Sequence, residues 1–266
     1  MKELIIKAAE QGLSHTIYLS CAAFGALLIM IYSLWYGPKL GIKRYKAVAA
    51  ILIGSIVALE MMYFFGDVVG YLAGRNFLGM NTAMVSMSRV FIFVPGLAWI
   101  IGKLLKVEWG KLCNLFSFSQ PFIWGTTSIG CLFTGCCRGY PCEWGLYNTR
   151  TCENVFPIQV VNAAILILIT LFLFFRSKNR HYTVDPTLYP IMLVLVGSTR
   201  FITEFFMDNE KIFLWCSGIS FQCLLMCVVG IVWIKTVKRK EKSIAQTSPT
   251  ANADPLPFGE CGKNAQ

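Results

Sequence analysis

Charge is what this chain has least of. Only 14% of its 266 residues are Asp, Glu, Lys or Arg, against 56% that are hydrophobic, where soluble domains carry about 25% charged residues. So few charges cannot cover a water-exposed surface, and a soluble globular domain is excluded. Histidine is scarcer still. His15 and His181 are the only two, so the commonest neutral-pH base is nearly missing. No Gly-rich phosphate-cradling loop, internal repeat or CxxC pair occurs. Residues 1 to 14, MKELIIKAAEQGLS, lack the basic-then-apolar pattern and small-residue cleavage site of a signal peptide and read as a short amphipathic surface helix.

What is abundant is apolar sequence in runs of about 20 residues, the length that spans hydrocarbon. Seven such runs lie near 15 to 36, 47 to 66, 82 to 102, 112 to 132, 157 to 175, 187 to 206 and 213 to 234. An all-α, polytopic membrane protein is expected. Lys39, Lys43, Arg44 and Lys46 follow the first run, Lys103, Lys106 and Lys111 the third, Arg176, Lys178 and Arg180 the fifth, and Lys235 to Lys242 the seventh. Basic loops stay cytoplasmic, so seven spans with the N-terminus outside and the C-terminus inside satisfy every loop. The net charge of +10 is largely this inner-face bias, which fits anionic lipid headgroups and not nucleic acid. Three regions follow: an amphipathic outer-surface segment (1–14), a seven-span domain (15–235) and a basic, then disordered, cytoplasmic tail (236–266). The disorder is expected from Ser243 onward, where Ser, Thr, Pro, Asn and Gly accumulate without periodicity.

Four charges fall at nearly one depth. Glu60 lies fourteen residues beyond Lys46, Arg89 fourteen before Lys103 and Arg200 fourteen beyond Pro186, each about 21 Å up its helix at 1.5 Å per residue. Glu204 stands one turn above Arg200. A charge inside hydrocarbon costs at least ~2.5 kcal/mol, so such a layer marks a functional site, and the four are expected to face one polar chamber near the outer leaflet. A structural ion pair between helices is the competing reading for Arg200 and Glu204.

The densest chemistry is SIGCLFTGCCRGYPCEWG, from Ser128 to Gly145. Gly130, Gly135 and Gly139 permit turns or close backbone approach. Cys131, Cys136, Cys137, Cys142 and Cys152 could form disulfides, bind metal or pack between helices. Their spacing favours packing or a loop disulfide, and neither a metal nor a cofactor is assigned.

The run NLFSFSQPFIWGTTSIGCLFTGCCRG, followed by FPIQVVNA, GSTRFITEFFMDNE and SGISFQCLL, resembles the bacterial prolipoprotein diacylglyceryl transferases. The likeness is to the divergent branch whose signature reads roughly R-x-G-C-F-x-x-G-C-C-Y-G, and it covers about residues 47 to 232. Its most specific block is G-x-x-R-F-x-x-E-F, from Gly197 to Phe205. The resemblance implies an enzyme of the bacterial cytoplasmic membrane that transfers a diacylglyceryl group from phosphatidylglycerol to the lipobox thiol of a prolipoprotein, without a cofactor.

On that resemblance Arg200 stabilises the departing phosphate, with Glu204 at i+4 orienting its guanidinium. Gln159, Asn162 and Gln222 would hydrogen-bond lipid or neighbouring helices. Gly130, Gly135 and Gly139 fall in the lipid-binding segment. The family's signature arginine falls on Ser128, its asparagine on Cys131 and its glutamate on Cys136, and its histidine has no counterpart near Pro95 and Gly96. Arg89 or Arg138 could replace the arginine, and Glu60 could serve as base if buried. Two other readings stay open: a relative that binds lipid or peptide without catalysis, and a small transporter.

Overall fold

The computed structural model describes residues 2–72, 87–208 and 218–247. It is 78% helical, and a helix covers the described part of each of the seven apolar runs. The order is α1 (Lys2–Glu10), α2 (Ser14–Lys39), α3 (Arg44–Leu72), α4 (Met87–Leu105), α5 (Trp109–Thr134), β1 (Pro141–Asn148), β2 (Glu153–Val155), α6 (Ile158–Asn179), α7 (Leu188–Glu204) and α8 (Gly218–Thr247). The antiparallel hairpin β1–β2 is an addition to the all-α expectation. Another difference is that α8 stays helical to Thr247, past Ser243, because Glu241, Lys242, Ala245 and Gln246 are good helix formers.

Within the described residues α2, α6 and the Ile219–Ser243 part of α8 are long and apolar enough to cross a membrane. Their outer faces carry Phe24, Leu27 and Ile31, then Leu168, Phe172 and Phe175, then Leu224, Val228 and Val232, all exposed. Large apolar side chains set along whole helices this way mark a surface wetted by lipid rather than water. The chain is a membrane protein.

α5 is the central helix, packed against α2 and α6 with α4 and α7 also touching it. It is too polar to read as a lipid-facing span, and most of it is buried. Its small residues explain the close packing. Gly125 faces the Ala163 carbonyl and Leu166 on α6, and Gly130 faces the Tyr18 backbone on α2. Gly25 of α2 meets the Thr126 side chain in return. α7 and α8 pack antiparallel in the same way, with Gly197 against Cys223 and Cys227, and Gly230 against Pro190 and Val194.

The basic loops gather at one end of the molecule. The Lys46 ammonium donates to the Leu105 carbonyl at 2.7 Å, and Lys39 lies 3.5 Å from the Trp35 ring centre and 4.0 Å from that of Tyr182. Buried Asp185 pairs with Arg176 at 3.1 Å and Arg180 at 3.3 Å. The Asn114 amide, oriented to satisfy both partners, bonds the backbone N–H and carbonyl of Asp185 at 2.7 Å each. α5 then runs about 39 Å, at 1.5 Å per residue, to the opposite end. There lie the hairpin and α1, whose Lys2 ammonium sits 5.1 Å from the Tyr147 ring centre.

Candidate functional site

At that far end α5 stops on Gly135, in the left-handed region at φ 63°, with its N–H donating to the Cys131 carbonyl at 3.0 Å. Glycine is required there, since a Cβ would lie 2.8 Å from Asn148 Oδ1 and left-handed backbone strains other residues. The turn decides where the thiols go. Had the helix continued, Cys136 and Cys137 would project about 140° and 120° away from Cys131 on either side. Instead all three Sγ atoms lie within 4.8 Å of one another. Cys136 Sγ is 3.9 Å from Cys137 Sγ and 3.3 Å from Thr134 Oγ1.

The loop that carries them is pinned from three sides. Asn148 is buried; its Nδ2 donates to the Gly135 carbonyl at 3.3 Å, while its Oδ1 accepts from Arg150 N at 2.9 Å and Thr151 N at 3.3 Å. Arg150 Nε donates to the Thr134 carbonyl at 3.0 Å. From α6, Gln159 Nε2 donates to the Cys137 carbonyl. Past α5, hydrogen bonding with the Cys131 and Cys137 thiols lowers the Cys136 thiol well below its ordinary range, and the Arg150 charge adds to the effect.

α7 brings its polar pair to the same place. Arg200 Nη2 lies 3.2 Å from Glu204 Oε2, the two side chains being 11% and 3% exposed, so this is a buried pair rather than a surface one. The Arg200 guanidinium stands 5.8 Å from the Trp124 ring centre, and its field reaches the Cys137 thiol. Buried polar atoms beside this loop without a partner among the described residues include Arg200 Nε, a donor, and Gln159 Oε1, an acceptor. Buried polar groups are nearly always satisfied, so such exceptions require an occupant or a reason.

The expected residues are placed differently from one another. Glu204, Gln159 and Asn162 are buried at this end, Asn162 one turn along α6 from Gln159, and Arg200 is largely covered. Arg138 is close by but half exposed and paired with Asp208 at 3.0 Å, part of a link in which Gly139 bridges Met207. Gln222 lies on α8, and its Oε1 has no partner among the described residues. Glu60, by contrast, is exposed on α3, so the burial that would ready it as a base is missing. The Arg89 side chain lies outside the described residues.

The three glycines have a structural reason of their own. Gly130 makes room for Tyr18, Gly135 makes the left-handed turn, and Gly139 lies against the Phe156 backbone. Protein stands where a side chain would project from each, so packing and turn geometry account for glycine at all three positions. Sequence reasoning missed Trp124 and Asn148, and it did not foresee that Cys131, Cys136 and Cys137 converge. The signal for that convergence is the glycine between the first cysteine and the other two.

No protein-family model matches the chain, and no curated protein matches it. The likeness described above rests on the quoted residues alone.

Proposed function

We propose that the chain is a seven-span enzyme, N-terminus outside and C-terminus cytoplasmic, that transfers a diacylglyceryl group from phosphatidylglycerol to the lipobox thiol of a prolipoprotein at the outer face of the bacterial cytoplasmic membrane. The observation that carries this reading is the buried Nε donor of Arg200, unused among the described residues, at the end of α5 opposite the basic loops. A guanidinium held in an apolar surround with one N–H free is arranged to receive an anionic oxygen.

The chemistry follows from that placement. The thiolate sulfur attacks the glyceryl carbon, a C–S bond forms, and the C–O bond to the phosphate breaks. Negative charge then grows on the departing glycerol phosphate, and the thiol proton passes to solvent. Arg200 meets that charge, a contribution made mainly in the transition state. Glu204 holds the guanidinium in one orientation. Gln159 and Asn162 offer hydrogen bonds to the glycerol or ester groups from α6. Trp124 gives the guanidinium a flat face, which limits its motion.

Purified protein incubated with phosphatidylglycerol and a lipobox peptide is expected to release glycerol phosphate. Release no greater than without enzyme, beside an active family member, would favour a relative that binds lipid or peptide without catalysis. One observation favours that second reading: Cys131 and Cys136, at the family's asparagine and glutamate positions, are drawn into a thiol cluster.

A further inference from the structure

We propose that Cys131, Cys136 and Cys137 form a three-thiolate binding site for a soft monovalent cation, Cu(I), beside the Arg200 pair. All three are free of disulfides, and their sulfurs lie within 4.8 Å of one another. Three sulfurs arranged in a plane about 2.3 Å from a common centre are about 4 Å apart. Cys136 and Cys137 are 3.9 Å apart. A disulfide would need about 2.05 Å, and any single bridge within the trio leaves one thiol over.

The surroundings suit a charged cluster. Three thiolates around one monovalent ion carry two negative charges, and two arginines stand at the same end: Arg150, whose Nε donates to the Thr134 carbonyl at 3.0 Å, and Arg200 of the largely buried pair. The site is also built before anything binds, because the Gly135 turn and the Asn148, Arg150 and Gln159 hydrogen bonds fix the sulfur-bearing backbone. A preformed site keeps the ordering cost of binding low.

The donor set selects the ion. Soft thiolates favour Cu(I) and Zn(II) over hard cations. Zn(II) takes four ligands, whereas Cu(I) is content with three sulfurs. Among the described residues no fourth Cys, His or carboxylate joins the group, and the nearby Thr134 hydroxyl is a weak ligand for either ion.

The test uses the full chain, purified anaerobically in detergent with its thiols reduced, and titrated with Cu(I) against a competing Cu(I) chelator. One equivalent should bind, with the ultraviolet charge-transfer band and luminescence of a copper–thiolate centre. C131S, C136S and C137S should each weaken binding by about 100-fold or more, beyond the upper range for outer-shell changes. C223S, a buried thiol on α8 outside the cluster, should not. Cys136→His replaces one ligand with another and should keep most of the copper, which guards against reading a misfolded serine variant as support. Copper binding that survives in the C136S/C137S pair, or one equivalent of Zn(II) that Cu(I) does not displace, would overturn the assignment. Copper is read without lipid substrate, so failure here and failure of the transferase reading are separate results.

Discussion

Replacing Arg200 separates a catalytic guanidinium from a structural one, and the structure sets the size of each effect. Because both side chains of the pair are almost withdrawn from solvent, the weak surface-bridge regime does not apply. Arg200→Ala leaves the Glu204 carboxylate buried without its guanidinium, a change expected to cost about 3–5 kcal/mol of stability. Arg200→Lys keeps a cation within reach of Glu204 but exchanges a planar fork for a point charge, so the fold should survive. If Arg200 meets the leaving phosphate, losing one aligned donor should lower turnover about 100- to 1,000-fold. The assay is glycerol phosphate release from phosphatidylglycerol, divided by the folded fraction from size-exclusion chromatography, with thermal unfolding in parallel. Glu204→Gln adds a third point, since a neutral amide still positions the guanidinium while removing its counter-charge. Wild-type turnover per folded molecule in Arg200→Ala would refute the catalytic role and leave the pair as a tie within α7.

Further predictions concern the frame. Gly197→Ala drives a methyl to 2.9 Å from the Cys223 carbonyl and Cys227 sulfur and should cost about 1–3 kcal/mol by overpacking α7 against α8; an unchanged melting temperature would show that this seam is loose. Asp185→Ala should destabilise more than Asp185→Asn, because Asn can keep the Oδ1 acceptor of the Thr187 N–H and hydroxyl while Arg176 and Arg180 lose their shared carboxylate; equal melts would show that these arginines do not depend on it. In intact cells a membrane-impermeant thiol reagent should modify exposed Cys152 after mild reduction, and labelling of Cys261 instead would invert the proposed orientation.

The positions of the helices were legible because lipid exposure demands long apolar runs, and that demand is written into composition. α5 also shows as a run, although only packing reveals that it is central: its Ser, Thr and Gly look like weakness in a span but are what lets neighbouring helices approach. The hairpin was not legible. PCEWGLYN mixes turn formers with Trp and Tyr, and only its pairing with Glu153–Val155 makes it a strand. Arg200 and Glu204 could be read off the i, i+4 spacing because helix geometry is local. Glu60 was grouped with them by depth, but its exposure was not legible, because depth carries no information about which way a helix is turned. The thiol cluster escaped for a related reason: residue spacing assumes a continuing helix, and one left-handed glycine reverses it.

The hydroxyls along α5 have a consequence for permeation. Ser117 donates to the Cys113 carbonyl at 2.7 Å, Thr127 to that of Ile123 at 2.9 Å and Ser128 to that of Trp124 at 2.8 Å. Each is buried and bonded within its own helix. A conducting path draws its hydration from polar groups facing a lumen, and these face their own backbone. A helix that would be scored as a polar stripe is in effect dry, so solutes gain no stepping stones by following it across the bilayer. The polarity of α5 therefore contributes to folding in lipid, since each of these hydroxyls is spent on its own helix.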